Sequence, residues 1–134
     1  MIAAIHAGWK GAFKGIINRT LNFMIKKGCA PKNITAVIGP CISVKNYEVK
    51  KDFIKKLIKK DGKNKKFFKK IQNKDFFNLK KYIYSQLKTL NIKKIDIINK
   101  DTFNPKNSFF SARRSISRNE NDYGRNISVI MINS

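Results

Sequence analysis

The sequence predicts an α+β domain in which helices pack on a mixed sheet. Amphipathic segments with helical spacing alternate with short β-branched segments, and Gly, Pro or Asn residues separate them. A chain of 134 residues that is 42% hydrophobic can bury one core. We therefore expect a single layered domain, or a part of one, over residues 1–134.

The first third of the chain predicts a strand, a helix and a second strand. Residues 1–6 are short and apolar before Ala7-Gly8, so we expect a buried strand that ends at His6. Residues 9–27 carry apolar side chains at three- and four-residue spacing and stop at Gly28, which is typical of an amphipathic helix. Residues 34–38 are β-branched and end at Gly39-Pro40, as a buried strand would.

The rest of the chain predicts further elements of both kinds. Apolar spacing indicates two helices, at residues 47–60 and 79–90. Apolar β-branched runs indicate two strands, at residues 95–98 and 127–132. The Lys-rich residues 61–73 favour a loop or a short helix, Asn104-Pro105 favours a turn, and the polar residues 115–123 favour a mobile loop.

The net charge of +22 suggests an anionic partner but does not identify one. Of the 30 basic residues, 25 are Lys, spread along a chain that is also rich in Ile and Asn. Those three residue types share A/T-rich codons, so base composition alone explains much of the charge. A basic nucleic-acid-binding protein remains an alternative, yet no recognisable nucleic-acid-binding module accompanies the charge, and we expect only non-specific contact.

Two compositional features bear on the compartment. No run approaches the roughly 20 apolar residues of a membrane-spanning helix, and residues 1–6 lack the pattern of an export signal. Cys29 and Cys41 are too few for a disulfide framework and fit a reduced state. We expect a cytoplasmic protein without a membrane partner.

The only histidine, His6, is the first candidate for chemistry. A strand end beside a Gly-Trp turn faces the crevice where α/β proteins bind ligands. A cysteine hydrolase with Cys41 as nucleophile and His6 as base is a second alternative, although no third orienting group is evident.

Four motifs in order resemble the laccase-domain (polyphenol oxidase) family, whose YfiH-type members are described as purine nucleoside phosphorylases with adenosine deaminase activity. They are His6-Ala7-Gly8-Trp9-Lys10-Gly11, Ile38-Gly39-Pro40-Cys41-Ile42 with Tyr47-Glu48-Val49, Phe109-Phe110-Ser111-Ala112-Arg113-Arg114, and Gly124-Arg125. Together these motifs extend over almost the whole chain. The resemblance implies the laccase-domain fold and an enzyme that acts on purine nucleosides and phosphate.

The resemblance also implies an incomplete metal site. The family's catalytic zinc has two His ligands and one Cys, and only the His of the first motif has a counterpart here, His6. We therefore expect this chain to be the C-terminal portion of the domain, inactive without the N-terminal half; an inactive truncated product is a further alternative. Older descriptions name copper, but multicopper oxidation needs many imidazoles, so zinc fits better.

The resemblance further implies substrate-binding residues. Phosphorolysis requires cations near the phosphate, and Arg113 and Arg125, more than Arg114, are the candidates because a guanidinium binds phosphate oxygens in a bidentate way. The resemblance assigns no metal to Cys41. From its position next to Pro40 we expect it to line the substrate pocket, with a small buried thiol that packs at the strand end as the alternative. Asp101 replaces a usual Cys and Asn78 a common Asp, which puts a role for that Cys in doubt.

Overall fold

The computed structural model describes residues 1–133, which form two compact units. Unit 1 comprises residues 1–38, 80–98 and 128–133, and unit 2 comprises residues 39–79 and 99–127. Both units combine helices with a sheet, parallel in unit 1 and antiparallel in unit 2. The predicted mixed α and β architecture is confirmed, whereas the assignment of residues 1–134 to part of a single domain stays a prediction.

Residues 1–133 contain five α-helices and five strands, besides short 3₁₀ helices. The helices are α1 (Trp9–Phe13), α2 (Ile16–Lys26), α3 (Lys51–Lys60), α4 (Leu79–Thr89) and α5 (Ala112–Ser117). The strands are β1 (Thr35–Ile38), β2 (Glu48–Val49), β3 (Phe68–Ile71), β4 (Lys74–Phe77) and β5 (Lys94–Ile97). Within residues 1–133, no helix has both the length and the apolar character needed to cross a bilayer.

The predicted helix at residues 9–27 is two helices in the structure. Gly15 lies between α1 and α2 with φ 84°, a left-handed conformation that favours glycine and interrupts the helical backbone. The apolar face of α2 buries Ile17, Leu21 and Met24, as the spacing predicted. Gly28, with φ 93°, follows the helix as expected.

Unit 1 contains a two-stranded parallel sheet. Strands β1 and β5 pair in the register Thr35↔Lys94 to Ile38↔Ile97. Both strands lie within one residue of their predicted positions. Ile38 is only 6% exposed and Val37 is 58% exposed, so one face of β1 is covered and the other is open.

Unit 2 contains a three-stranded antiparallel sheet in the order β2-β4-β3. Strands β3 and β4 form a hairpin across Gln72 and Asn73, whose φ values of 46° and 61° are those of a two-residue type I′ turn. Phe77 is fully buried, with Tyr47, Phe53 and Phe68 rings at 5.8, 5.1 and 5.3 Å between centroids. The prediction of a loop or short helix over residues 61–73 is therefore incomplete, because a 3₁₀ helix at Gly62–Phe67 leads into β3.

Two predicted strands, at residues 1–6 and 127–132, are absent. Both segments lack regular structure, and the side chains of Ile5 and Ile127 are 45% and 88% exposed. A strand needs backbone partners on a neighbouring strand, and among residues 1–133 none pairs with these segments. Their apolar sequence favours strand formation without being sufficient for it.

The segment predicted as a mobile loop at residues 115–123 begins as helix. The Ser111 hydroxyl accepts a hydrogen bond from the Arg114 N–H at 3.3 Å and caps α5, which continues to Ser117. The turn at Asn104-Pro105 is confirmed, since the Asn104 side chain accepts from the Lys106 N–H and a 3₁₀ turn follows.

Candidate functional site

His6 lies in unit 1, immediately before α1, and its side chain is exposed. A side chain at Gly8 would place a Cβ atom 3.1 Å from His6 Nε2, and one at Gly11 would come 3.3 Å from the His6 carbonyl oxygen. The two glycines therefore allow the backbone and the imidazole to approach each other closely. His6 occupies the start of a glycine-dependent turn rather than the end of the predicted strand.

Cys41 lies in unit 2, in the loop that follows β1. Its backbone N–H donates to the Lys100 carbonyl at 3.3 Å, and its carbonyl accepts from the Thr102 N–H at 3.2 Å, which makes a parallel bridge beside Asp101. The side chain is half-buried, and among the described residues Cys29 and Cys41 are not joined by a disulfide. The structure thus holds Cys41 by its backbone.

Asp101 organises the loop that contains Cys41. Its carboxylate accepts hydrogen bonds from the Ser43 N–H (3.1 Å), the Ser43 hydroxyl (2.6 Å), the Asn46 side-chain amide (2.7 Å) and the Phe103 N–H (2.9 Å). Burial alone would raise the pKa of this carboxyl, but the hydrogen bonds from Ser43, Phe103 and Asn46 together outweigh burial and lower it. Asp101 is therefore an ionised structural acceptor. Sequence reasoning recognised the position only as a departure from the family.

Arg113 lines a cavity of about 320 Å³ in unit 2, together with Asn46, Glu48, Phe103, Ile116 and Ser117. Its Nη1 donates to the Glu48 carbonyl at 3.2 Å, and its guanidinium lies 5.2 Å from the centroid of the Tyr47 ring. The Glu48 carboxylate pairs with Lys74 at 3.1 Å, which reduces the negative charge near the cavity. The cavity therefore combines an apolar wall with one exposed guanidinium.

The aromatic ring of Tyr47 lies against the Arg113 guanidinium. The side chain is 7% exposed, and burial raises the pKa of its hydroxyl to about 12, although the nearby charge of Arg113 lowers it in part. The hydroxyl therefore stays protonated at neutral pH. A neutral aromatic face suits contact with a guanidinium.

Arg114 has a structural position. Its Nη1 donates to the carbonyls of Thr102 (2.9 Å) and Phe103 (3.0 Å), and its Nη2 donates to the Phe109 carbonyl at 2.6 Å. Both terminal nitrogens of the Arg114 guanidinium therefore donate to backbone carbonyls. This agrees with the lower expectation for Arg114 as an anion ligand.

Arg125 makes local contacts. Its Nη1 donates to the Tyr123 carbonyl, and its guanidinium lies 4.0 Å from the Tyr123 ring centroid. The neighbouring Asn126 side chain exchanges two hydrogen bonds with the Phe110 backbone, at 2.9 and 2.8 Å, which anchors this segment. That anchor was missed from the sequence, because a single Asn in a polar region gives no spacing signal.

The expected site residues divide between the two units. Unit 2 connects Cys41 to the Arg113 cavity through Asp101 and Asn46, by the backbone bridge and the 2.7 Å hydrogen bond. The contacts of the Arg125 guanidinium are with Tyr123, not with Cys41 or Arg113, and His6 belongs to unit 1. The roles of all four residues in binding or catalysis stay predictions.

The described residues do not by themselves fit a zinc site. Among residues 1–133, no three His, Cys, Asp or Glu side chains lie close enough together to hold a metal ion. A catalytic zinc takes three protein ligands, so His6 could contribute only one of them.

The comparison with known families accounts for the order of the motifs. Residues 1–133 match the family model described as multi-copper polyphenol oxidoreductase laccase. The chain belongs to this laccase family. Membership confirms the resemblance carried by the motifs at His6, Cys41, Arg113 and Arg125.

Relatives within the laccase family are named as phosphorylases. A purine nucleoside phosphorylase of Rickettsia conorii is 37% identical over 129 residues, covering 95% of this chain and 52% of the relative. One of Haemophilus influenzae is 36% identical over 132 residues, covering 96% and 51%. Purine nucleoside phosphorylase YfiH of Shigella flexneri is 30% identical over 115 residues, covering 84% and 45%. The chain thus spans about half the length of these relatives.

Proposed function

We propose that this chain is the C-terminal portion of a purine nucleoside phosphorylase, and that it acts together with polypeptide corresponding to the part of the relatives outside the match. The observation that carries the proposal is the 37% identity to the Rickettsia conorii enzyme over 95% of the chain. The substrates would be a purine nucleoside and phosphate. The isolated portion would be inactive.

Arg113 is the proposed phosphate ligand. Its Nη1 donates to one backbone carbonyl, and no described residue accepts from the remaining N–H groups of the guanidinium. Those groups can bind two phosphate oxygens at once. The cavity beside it, with Phe103 and Ile116 on its wall, gives an apolar surface for a nucleoside. Cys41, linked to this cavity through Asp101, and Arg125 are proposed as further substrate contacts.

His6 is the proposed metal ligand of this portion. Its exposed imidazole beside the glycine turn is accessible to groups from another polypeptide segment. Zinc is proposed rather than copper, because the chain contains one histidine and a zinc site needs few imidazoles. Adenosine deamination is a second proposed activity of the same enzyme, with zinc supplying the activated water when bound. A cytoplasmic location is also proposed, on the basis of two cysteines without a disulfide.

The test is a single-chain chimera that joins this chain to the residues of the Rickettsia conorii relative outside the match. The chimera should release free base from inosine only when phosphate is present. His6→Ala should abolish release and reduce bound zinc to well below one per chain, while the melting temperature measured without zinc stays unchanged because the side chain is exposed. Full turnover with zinc still bound in His6→Ala would show that His6 is not a ligand.

A second comparison separates phosphate binding from a structural role. Arg113→Lys and Arg125→Lys keep the charge but lose the bidentate fork, so each should raise the KM for phosphate by about tenfold or more if that arginine binds phosphate. Deamination of adenosine uses water and should change little. The control is Arg118→Lys, an exposed arginine at the end of α5 whose guanidinium lies 3.9 Å from Glu120. Equal losses in both reactions would assign the arginine a structural role.

A further inference from the structure

The sheet of unit 1 has two open edges. The Ile98 N–H donates to the Ile38 carbonyl at 2.9 Å, so the Ile38 backbone groups face β5. Backbone groups alternate in direction along a strand, and those of Val37 and Ile97 therefore face outward. Among residues 1–133 no third strand joins this sheet. Parallel sheets in proteins are covered on both faces and rarely stop at two strands.

The same unit exposes two apolar chain segments. At residues 1–5 the exposed fractions are 57% for Met1, 41% for Ile2 and 45% for Ile5. At residues 128–132 they are 78% for Val129, 49% for Ile130, 72% for Met131 and 65% for Ile132. Isolated exposed apolar residues are ordinary, but contiguous ones mark an interaction surface. An uncovered β-branched run without Pro or charge is also an aggregation hazard.

Both segments have strand sequences without strand partners. Their composition predicts β-structure, yet neither segment forms the backbone hydrogen bonds of a sheet. The side of β1 that carries Val37 is likewise open, with 58% of that side chain exposed. Unit 1 thus combines unpaired edges with unpaired strand-forming segments.

We infer that residues 1–5, residues 128–132 and the outer edges of β1 and β5 are strand-docking sites occupied by polypeptide homologous to the unmatched half of the relatives. The two edges face opposite sides of the sheet, and these sites together are called the docking surface. The partner would contribute strands, and its backbone would pair with the open edges while its apolar side chains cover Val129 and Met131. The inference rests on the partner polypeptide of the proposed function, but not on which reaction the assembled protein catalyses.

Two observations favour this occupant over a second copy of the chain. The relatives contain about as much polypeptide outside the match as within it, since the chain covers 52% and 51% of two of them. A homodimer would also bring together two chains that each carry a net charge of +22, and that repulsion opposes association.

Hydrogen exchange tests the surface directly. The isolated chain is compared by mass spectrometry with the chimera that carries the unmatched part of the Rickettsia conorii relative. We expect backbone amides at residues 1–5, at 128–132 and at Val37 and Ile97 to exchange at least about tenfold more slowly in the chimera, because they become hydrogen-bonded. Amides in the middle of α5, in unit 2, serve as the internal reference.

A proline substitution tests the proposed pairing. The chain and the relative's unmatched part are mixed as separate polypeptides, and Val129→Pro, which removes a ladder donor, should weaken the complex by about tenfold or more. Val129→Ile should bind as the parent does. Phe23→Asp, at a side chain 57% exposed on α2, is the control for lost apolar surface elsewhere. Because residue 129 has no regular structure in the chain alone, Val129→Pro should leave the circular dichroism of the isolated chain unchanged.

The outcomes separate this inference from the proposed function. Protection at the named amides without phosphorolysis supports the surface and refutes the activity. Phosphorolysis by a chimera with no added protection at residues 128–132 overturns the surface alone. If the separate part does not fold, Val129→Pro in the chimera must restore fast exchange at these residues, and failure to do so also overturns the inference. If light scattering showed that this chain forms a dimer without the relative's part, the occupant would be a second copy and the inference would be overturned.

Discussion

Replacing Asp101 by Ala should destabilise unit 2 through the loss of one carboxylate acceptor. Four hydrogen bonds between 2.6 and 3.1 Å end on this carboxylate. Hydrogen bonds to a charged group contribute about 1.5–3 kcal/mol each when buried, but the group is partly exposed and its donors can turn to water, so the total cost should be about 2–3 kcal/mol. For a chain of this size that corresponds to a fall in Tm of about 6–12 °C.

The assay is urea unfolding followed by circular dichroism, from pH 8 to pH 3. The pKa of Asp101 is lowered in the folded state, so its contribution is fully present above the ordinary carboxyl pKa and is lost as the pH falls through the folded value. The difference between parent and Asp101→Ala should therefore be constant at neutral pH and shrink in acid. Asp96→Ala, an exposed position on β5, is the control. Two results would refute the reasoning: an equal loss of stability in Asp101→Ala and Asp96→Ala, or a stability difference between parent and Asp101→Ala that stays unchanged down to pH 3.

Three other outcomes are expected. Arg114→Met should lower stability by about 2–3 kcal/mol because three backbone carbonyls lose a charged donor, whereas Arg118→Met at an exposed ion pair should cost less than about 1 kcal/mol; urea unfolding compares them. The raised pKa of Tyr47, about 12 in the folded state, means that its contribution to stability is present below pH 10 and is lost as the pH rises toward 12. In thermal melts the parent should therefore lose stability relative to Tyr47→Phe across that range. The isolated chain, with His6 as its only imidazole, should retain far less than one zinc after dialysis, and stoichiometric zinc resistant to chelator in metal analysis would contradict the proposed division of ligands.

The sequence predicted those elements whose stabilising contacts leave a periodic pattern. Helices α2, α3 and α4 each bury an apolar face at helical spacing, and β1 and β5 are short β-branched runs between turn signals. Family membership was likewise readable from four ordered motifs. These features are local, so periodicity and motif order were sufficient to find them.

The errors have physical causes that lie outside local pattern. The hairpin β3-β4 is rich in Lys, and its turn uses Gln72 and Asn73 at positive φ, where Gly is the usual signal. The apolar segments at residues 1–6 and 127–132 need pairing partners that no residue in 1–133 provides. In the candidate site, the hydrogen bonds of Asp101 with Ser43 join residues 58 positions apart, a distance at which spacing carries no information.

The two sheets impose different demands on folding kinetics. The β3-β4 hairpin joins residues three to nine positions apart, from Ile71↔Lys74 to Phe68↔Phe77, so it closes a short loop at little entropic cost. The β1-β5 pair joins Thr35 to Lys94 across 59 positions, and most of the loop entropy must be lost before that contact forms. During synthesis the hairpin can form once Phe77 has left the ribosome, while β1 must wait for β5. Throughout that interval β1 is a solitary apolar strand, and chaperone binding would protect it there.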